Sequence, residues 1–291
     1  MAFLKKRIKT DHIVFIILFT VIFVLITVVC IPALLHSIFA GRIAENDSAA
    51  DRWIRTASKM ICSFGILAVM RKIGILHKAD YAVKPVAKGL WIGFVGVLFA
   101  VFQFADTFLA NMAYAQTPDF WEVVLCVLAP LAIGWMEEVT MRGFTYNNMK
   151  RYFGDTLSGV KKSILWSSLL FGVLHLTRLR DVTEWNLESV LPIVARILYA
   201  SIIGIYLALV YVQSKSMWTV VILHAMIDVP AVCTDLLLPK ALTQNGGESL
   251  SSFEIVLGTL IFPLIAMLPF ILAILIKWRK LRSLQQTEDA G

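Results

Sequence analysis

Apolar runs of nearly 20 residues recur along the whole chain, and this feature constrains the fold more than any other. A helix needs about 20 apolar residues to cross ~30 Å of hydrocarbon, so each run is long enough to span a bilayer. Apolar residues make up 58% of the 291-residue sequence, which leaves too little polar surface for an ordinary soluble domain. The sequence therefore predicts an all-α, polytopic membrane bundle.

The apolar runs predict about eight transmembrane helices. They lie near residues 13–38, 54–76, 88–112, 120–148, 162–178, 189–212, 217–237 and 254–277. The first run is longer than the core of a signal peptide and no small-residue cleavage site follows it, so we expect a retained first span. Gly89, Gly93 and Gly96 give the third span a small-residue face, which is typical of packing against another helix.

The distribution of lysine and arginine predicts the orientation of the chain. If the N-terminus is cytoplasmic, 18 of these residues fall in cytoplasmic segments and seven in outside segments, and Arg142 and Arg196 lie within spans, which accounts for all 27. Cytoplasmic segments usually carry the excess of basic residues. We therefore expect an integral protein of a bacterial plasma membrane, surrounded by lipids, with both termini in the cytoplasm.

Charge placement and cysteine spacing argue against two other classes of protein. The net charge is +7, but the basic residues are spread over short connections between apolar runs, so no nucleic-acid partner is expected. The four cysteines lie in or beside apolar segments without metal-binding spacing, and we interpret them as small apolar residues.

Three groups of polar residues interrupt the apolar runs of the fourth, fifth and seventh spans. They are "EEVTMR" at 137–142, "FGVLH" at 171–175 and "HAMID" at 224–228. Each contains a pair of residues four positions apart, which lie on one face of a helix. At ~1.5 Å per residue, Glu137 and His175 lie ~20 Å from the cytoplasmic side and His224 lies ~14 Å from it. We therefore expect one polar cavity within the membrane, lined by Glu137, Glu138, Arg142, His175, His224 and Asp228.

Such a cavity suits acid–base hydrolysis. Ionisable groups at this depth cost at least ~2.5–3.5 kcal/mol each, so they normally face one another in the bundle interior. A glutamate kept partly from water can take a proton from a water molecule, and a neighbouring histidine can share that role or protonate the leaving amine. The alternative is structural, with Glu138 and Arg142 as an intrahelical ion pair and each histidine bonded to a backbone carbonyl.

The three motifs, in this order and on these spans, resemble the signature of the CAAX protease and bacteriocin-processing (CPBP, or Abi) family of intramembrane proteases. That signature is EExxxR, then FxxxH, then HxxxN or HxxxD, and the family is related to the type II CAAX prenyl endopeptidases. The resemblance covers residues 120–236, which we interpret as the catalytic core. Residues 1–119 would hold the N-terminal spans, and residues 237–291 would hold the last span and a cytoplasmic tail.

The resemblance implies roles for the motif residues. Glu137 would be the water-activating base with help from His175, and His224 and Asp228 would stabilise the oxyanion. Glu138 and Arg142 would support the site, and Phe171 would pack against the face of His175. The implied substrate is a prenylated or other membrane-associated peptide.

Asp228 departs from the prenyl endopeptidases, which carry asparagine at the corresponding position. An ionised aspartate cannot donate a hydrogen bond to an oxyanion. Asp228 would have to be protonated, or would instead orient His224 as a hydrogen-bond acceptor. The departure puts CAAX specificity in doubt, although bacterial members of the family do carry aspartate here.

Two questions stay open at the level of sequence. Glu137, His175 and His224 could supply a His₂Glu zinc site, but HExxH is absent and we favour a metal-free glutamate mechanism without a cofactor. The alternative functions are a non-catalytic bacteriocin-immunity or peptide-binding membrane protein, and a transporter with a proton-linked carboxylate. The sequence gives neither the substrate's identity nor an oligomeric state.

Overall fold

The structure, a computed structural model, describes residues 13–39, 48–76, 78–83, 86–106, 117–177, 182, 185–237 and 252–288. Every regular element within these ranges is helical. Seven of the helices are long and apolar enough to cross a membrane, and a bent pair of shorter helices would bring the number to eight. The predicted all-α, polytopic bundle is confirmed.

The helices follow one another in the order of the predicted spans. They are α1 (Ile13–Phe39), α2 (Ser48–Ile73), α3 (Val86–Ile92), α4 (Phe94–Phe104), α5 (Phe120–Phe153), α6 (Leu157–Leu174), α7 (Leu187–Ser214), α8 (Met217–Leu237) and α9 (Phe253–Leu281). A short 3₁₀-helix, Lys78–Tyr81, lies between α2 and α3.

The predicted third span, 88–112, is divided in the structure. Its described part forms α3 and α4, which are bent by 76° at Gly93; residues 107–112 lie outside the described residues. The Ile92 carbonyl accepts a hydrogen bond from Lys277 Nζ at 2.5 Å, and the Gly96 N–H donates to Tyr206 Oη at 3.0 Å. These side chains satisfy backbone groups at the break, as an apolar surrounding requires. Hydropathy could not show the bend because apolar residues dominate on both sides of Gly93.

The small-residue face of this broken span packs against α8, as the sequence predicts. A Cβ atom at Gly89 would overlap the side chain of Thr219, and one at Gly93 would overlap Leu223. These two glycines therefore allow α3 and the start of α4 to lie closer to α8 than larger residues would permit.

The helix α5 is long, as predicted, but it is not uniform. Asp119 and Glu122 form a capping box at its start, and residues Val139–Tyr146 form a fully buried π-helical segment directly after Glu138. Within that segment the Thr145 hydroxyl donates to the Thr140 carbonyl at 2.9 Å. Most π-helical turns are short insertions that occur often at functional sites. The segment changes the direction of the side chains that follow the two glutamates.

The helices that carry the three motifs lie next to one another. The central α5 packs against α8 and α2, and α6 packs against α7. Trp135 of α5 stacks on Trp218 of α8 with ring centroids 4.7 Å apart. One turn from the motif, Gly134 brings α5 so close to α8 that a Cβ there would lie 2.8 Å from the Val221 carbonyl oxygen. This close approach positions Glu137 and Glu138 beside α8.

Candidate active site

Three carboxylates converge on the imidazole of His224. On one side of the ring, Nδ1 lies 2.6 Å from Glu138 Oε1. On the other side, Nε2 lies 3.4 Å from Glu137 Oε2 and 3.6 Å from Asp228 Oδ2. Only 6% of the His224 side chain is exposed. The contact between α5 and α8 therefore joins the first and third sequence motifs at one ring.

Glu138 and Arg142 form a buried support behind this ring. Glu138 Oε1 accepts a hydrogen bond from Arg142 Nη1 at 2.8 Å as well as from His224, and Arg142 Nη2 donates to the Gly204 carbonyl of α7 at 2.8 Å. Neither side chain is more than 2% exposed. The pair is therefore more than an intrahelical anchor, because it connects α5 to α7 and to α8.

His175 ends α6 and faces the same region. Its Nδ1 lies 3.0 Å from the Phe171 carbonyl oxygen, and Nδ1 is the donor because a carbonyl can only accept. In the neutral ring Nε2 is then the free acceptor. The Phe171 ring is nearly perpendicular to the rings of His175 and His224, with centroids 5.1 and 5.8 Å away. The guanidinium of Arg142 lies 5.4 Å from the Phe171 ring centroid, so Phe171 contacts both imidazoles and the buried arginine.

A cavity of about 690 Å³ brings the predicted catalytic side chains together. It is lined by Glu137, His175, His224 and Asp228, and by Phe171. Side-chain exposure is 24% for Glu137 and 29% for Asp228, against 0% for Glu138. Glu137 and Asp228 therefore reach the cavity, whereas Glu138 acts from behind its wall.

The zinc alternative requires Glu137, His175 and His224 to converge as ligands. Over the described residues, no group of three or more His, Cys, Asp or Glu side chains has an arrangement that could hold a metal ion. No step is therefore assigned to a metal, and metal independence stays a prediction.

The basic residues of the cavity were not predicted from the sequence. Arg52, Arg55 and Lys59 of α2 line it, and Arg196 of α7 lines it from another side. The available signal was weak: α2 has the low mean hydropathy of 1.2, and Arg196 interrupts an apolar run. Periodicity cannot show which cavity such residues face.

The Glu138–His224 link was also not predicted. The i,i+4 spacing predicts the Glu138–Arg142 pair, which the structure contains at 2.8 Å. The contact with His224 joins residues 86 positions apart, and spacing along one helix carries no information about that distance.

Comparison with known proteins finds a family match for the middle of the chain. Residues 119–230 match the family model described as type II CAAX prenyl endopeptidase Rce1-like. The searches of curated proteins and of solved structures find no match. The matched segment contains all three motifs, and a protease family implies a peptide substrate and a membrane environment. The predicted resemblance is confirmed: residues 119–230 of this integral membrane protein match the Rce1-like family model, which supports a CAAX-type intramembrane endopeptidase in general.

Proposed function

We propose that this protein hydrolyses a peptide bond near the membrane surface with water activated by Glu137, on a prenylated or other membrane-associated peptide. The observation that carries the proposal is the contact of Glu137 and Glu138 with opposite nitrogens of His224, at the wall of a cavity between helices. A polar centre of this kind within an apolar bundle is costly, and such residues usually serve a function.

In this mechanism Glu137 activates the water. Its carboxylate reaches the cavity, so it can take a proton from a water molecule there while the water oxygen attacks the peptide carbonyl carbon. His175 lines the same cavity and assists the transfer through Nε2, the ring nitrogen that the Phe171 carbonyl leaves unused. The proton then passes to the leaving amine as the C–N bond breaks, giving one carboxylic acid and one amine.

In this mechanism His224 stabilises the oxyanion. Because Nδ1 donates to Glu138, Nε2 is the nitrogen on the side of Glu137 and Asp228. In its imidazolium form His224 donates from both nitrogens, so Nε2 can bind the developing oxyanion while Nδ1 stays fixed. Asp228 either donates to the oxyanion as a carboxylic acid or orients the ring as a carboxylate.

The proposal is tested by cleavage of dye-labelled peptides by the full-length protein in detergent. Matched peptides with and without an S-farnesyl cysteine show whether the substrate must be lipidated. Wild type should cleave, and Glu137→Gln should be slower by about 10²–10⁴-fold because it lacks the general base. Glu188→Gln, an exposed change at the start of α7, should match wild type. Equal rates for wild type and Glu137→Gln would reject Glu137 as the base.

A chelator added to the same assay tests the metal-free mechanism. Wild-type cleavage should persist in excess EDTA. Loss of activity on chelation, restored by zinc, would replace the proposed mechanism with a metal-assisted one.

A further inference from the structure

One face of α2 places charged residues along the cavity. Asp51, Arg55 and Lys59, spaced four residues apart, all line it, and Arg52 lies beside them. Arg55 has its counter-ion in Asp51, since Nε lies 2.7 Å from Asp51 Oδ2, and His36 Nε2 of α1 lies 2.7 Å from Asp51 Oδ1. These ion pairs hold the first residues of this face in place. Lys59 lies one turn further along α2, deeper in the membrane.

Lys59 and Arg196 lie at a similar depth along their helices, nearer than Glu137 to the side on which α2, α5 and α7 begin. Each is nine residues from the start of its membrane span, at Ala50 and Leu187 respectively, or ~14 Å along the helix. Glu137 is 17 residues from Phe120, or ~26 Å from the same side. Measured along the helix axes, the backbones of Lys59 and Arg196 therefore lie ~12 Å nearer that side of the bundle than the backbone of Glu137.

Both cations interact with the catalytic carboxylates. Lys59 is close enough to Glu137 and Asp228 for electrostatic attraction, and Arg196 attracts Asp228. The hydrogen bond from Lys59 Nζ to the Arg55 carbonyl oxygen is long, at 3.5 Å. If Lys59 and Arg196 only neutralise these carboxylates, the two residues are counter-ions of the site. A lysine that lines a membrane cavity also often marks the path of a ligand. The counter-ion role and the ligand-binding role predict different results in a binding experiment.

We propose that Lys59, with Arg196 on the neighbouring side of the cavity, binds a carboxylate of the peptide substrate. This proposal rests on the proposed function, because it assumes that a peptide occupies the cavity. An extended peptide spans ~3.3–3.6 Å per residue, so ~12 Å places the bound carboxylate about two to four residues from the scissile bond. The carboxylate is either the free C-terminus of the peptide or an acidic side chain near it.

The test measures binding and does not depend on cleavage. Glu137→Gln protein in detergent is titrated with three rhodamine-labelled, farnesylated peptides that differ only near their C-terminal ends. Fluorescence anisotropy measures the binding. One peptide ends in a free carboxylate and one in an amide. The third ends in an amide but has an aspartate two residues before its end. The same peptides are titrated with the Glu137→Gln/Lys59→Gln, Glu137→Gln/Lys59→Arg and Glu137→Gln/Lys72→Gln proteins.

In Glu137→Gln, a carboxylate peptide should bind about 10-fold more tightly than the plain amide, since a hydrogen bond to a charged group contributes about that much. The aspartate peptide identifies which carboxylate is recognised. Lys59→Gln should reduce the ratio of the Kd for the amide peptide to the Kd for the carboxylate peptide to about one. Lys59→Arg should keep most of this ratio. Lys72, exposed at the other end of α2, is the matched control and its variant should keep the full ratio.

The proposal would be overturned if Glu137→Gln and Glu137→Gln/Lys59→Gln had the same ratio of Kd values. It would also be overturned if neither carboxylate peptide bound more tightly than the plain amide. That result leaves the proposed function intact if wild type cleaves peptides and Glu137→Gln does not. Carboxylate-dependent binding without any cleavage by wild type would instead retain the subsite and reject the protease function.

Discussion

Glu138 supports the candidate site although it does not reach the cavity. One of its oxygens, Oε1, accepts hydrogen bonds from both Arg142 and His224, and its carboxylate is fully buried. Removing one partner of a buried ion pair leaves the other charge without compensation, which is more costly than losing the pair as a whole. At the scale of single residues, Glu138 therefore combines a stabilising and a positioning role.

Glu138→Gln should lower the free energy of unfolding by about 3–5 kcal/mol, because it leaves Arg142 buried without its counter-ion. Thermal unfolding of the purified protein in detergent measures the change. Arg142→Met should lower the free energy of unfolding less in the Glu138→Gln background than in wild type. In that background the Arg142 guanidinium has already lost its counter-ion. Equal costs in both backgrounds would show that the two residues are not coupled.

Asp228 lines the cavity, with Oδ2 3.6 Å from His224 Nε2. Asp228→Asn should retain cleavage within about 10-fold, because an amide can donate to the oxyanion in any protonation state. Asp228→Ala should lower kcat by about 10²-fold or more, as loss of an oxyanion donor does in other hydrolases. Wild-type kcat in the alanine variant would exclude Asp228 from the reaction.

At the scale of helices, the site depends on the close approach of α5 and α8. Gly134 lies three residues before Glu137, and a Cβ at this position would lie 2.8 Å from the Val221 carbonyl oxygen and 3.4 Å from His224 Cβ. The backbone of α8 cannot yield as a flexible side chain would. A methyl group here would therefore push the two helices apart exactly where Glu137 meets His224.

Gly134→Ala should destabilise the protein by about 1–3 kcal/mol, the usual cost of overpacking, and reduce cleavage more than that loss of stability explains. Gly65→Ala is the matched control, because Gly65 is helical and a Cβ there meets nothing within 4 Å. That control should be as stable as wild type or more stable, since alanine favours helix over glycine. Unfolding and cleavage are measured on the same preparations, and equal behaviour of the two variants would contradict the packing role of Gly134.

Hydropathy predicts most of these helices because length and apolar composition decide whether a segment can cross a bilayer. It does not predict the 76° bend at Gly93 or the π-helical segment Val139–Tyr146. The bend has hydrogen-bond partners in Lys277 and Tyr206, which meet α3 and α4 only in the folded bundle, and the π-helical segment is fully buried there. The three motifs were predictable as faces of helices, whereas their mutual distances were not.

At the scale of the whole molecule, the orientation determines which side of the membrane supplies the substrate. The cavity extends to the first turns of α2, at Asp51 and Arg52, and to Thr177 after α6. With both termini in the cytoplasm, as the basic residues predict, these helix ends lie on the outer side. A peptide would then reach the site from outside the cell.

Cysteine labelling in intact cells tests this orientation. With the four native cysteines replaced, Thr117→Cys, before α5, should react with a membrane-impermeant maleimide. Lys72→Cys, at the end of α2, should react only after the cells are lysed. Both positions are exposed in the structure. The reverse pattern would place the cavity mouth on the cytoplasmic side.

Residues from α5 and α8 should act as one catalytic centre, and a double-mutant cycle on cleavage tests this. The values of kcat/KM are compared for wild type, Glu137→Gln, His224→Gln and the double variant, with folding checked by thermal unfolding. Residues that act as a unit have strongly non-additive effects. We expect the double variant to be no slower than the slower single variant. A double variant slowed by the product of the two single effects would contradict a shared centre.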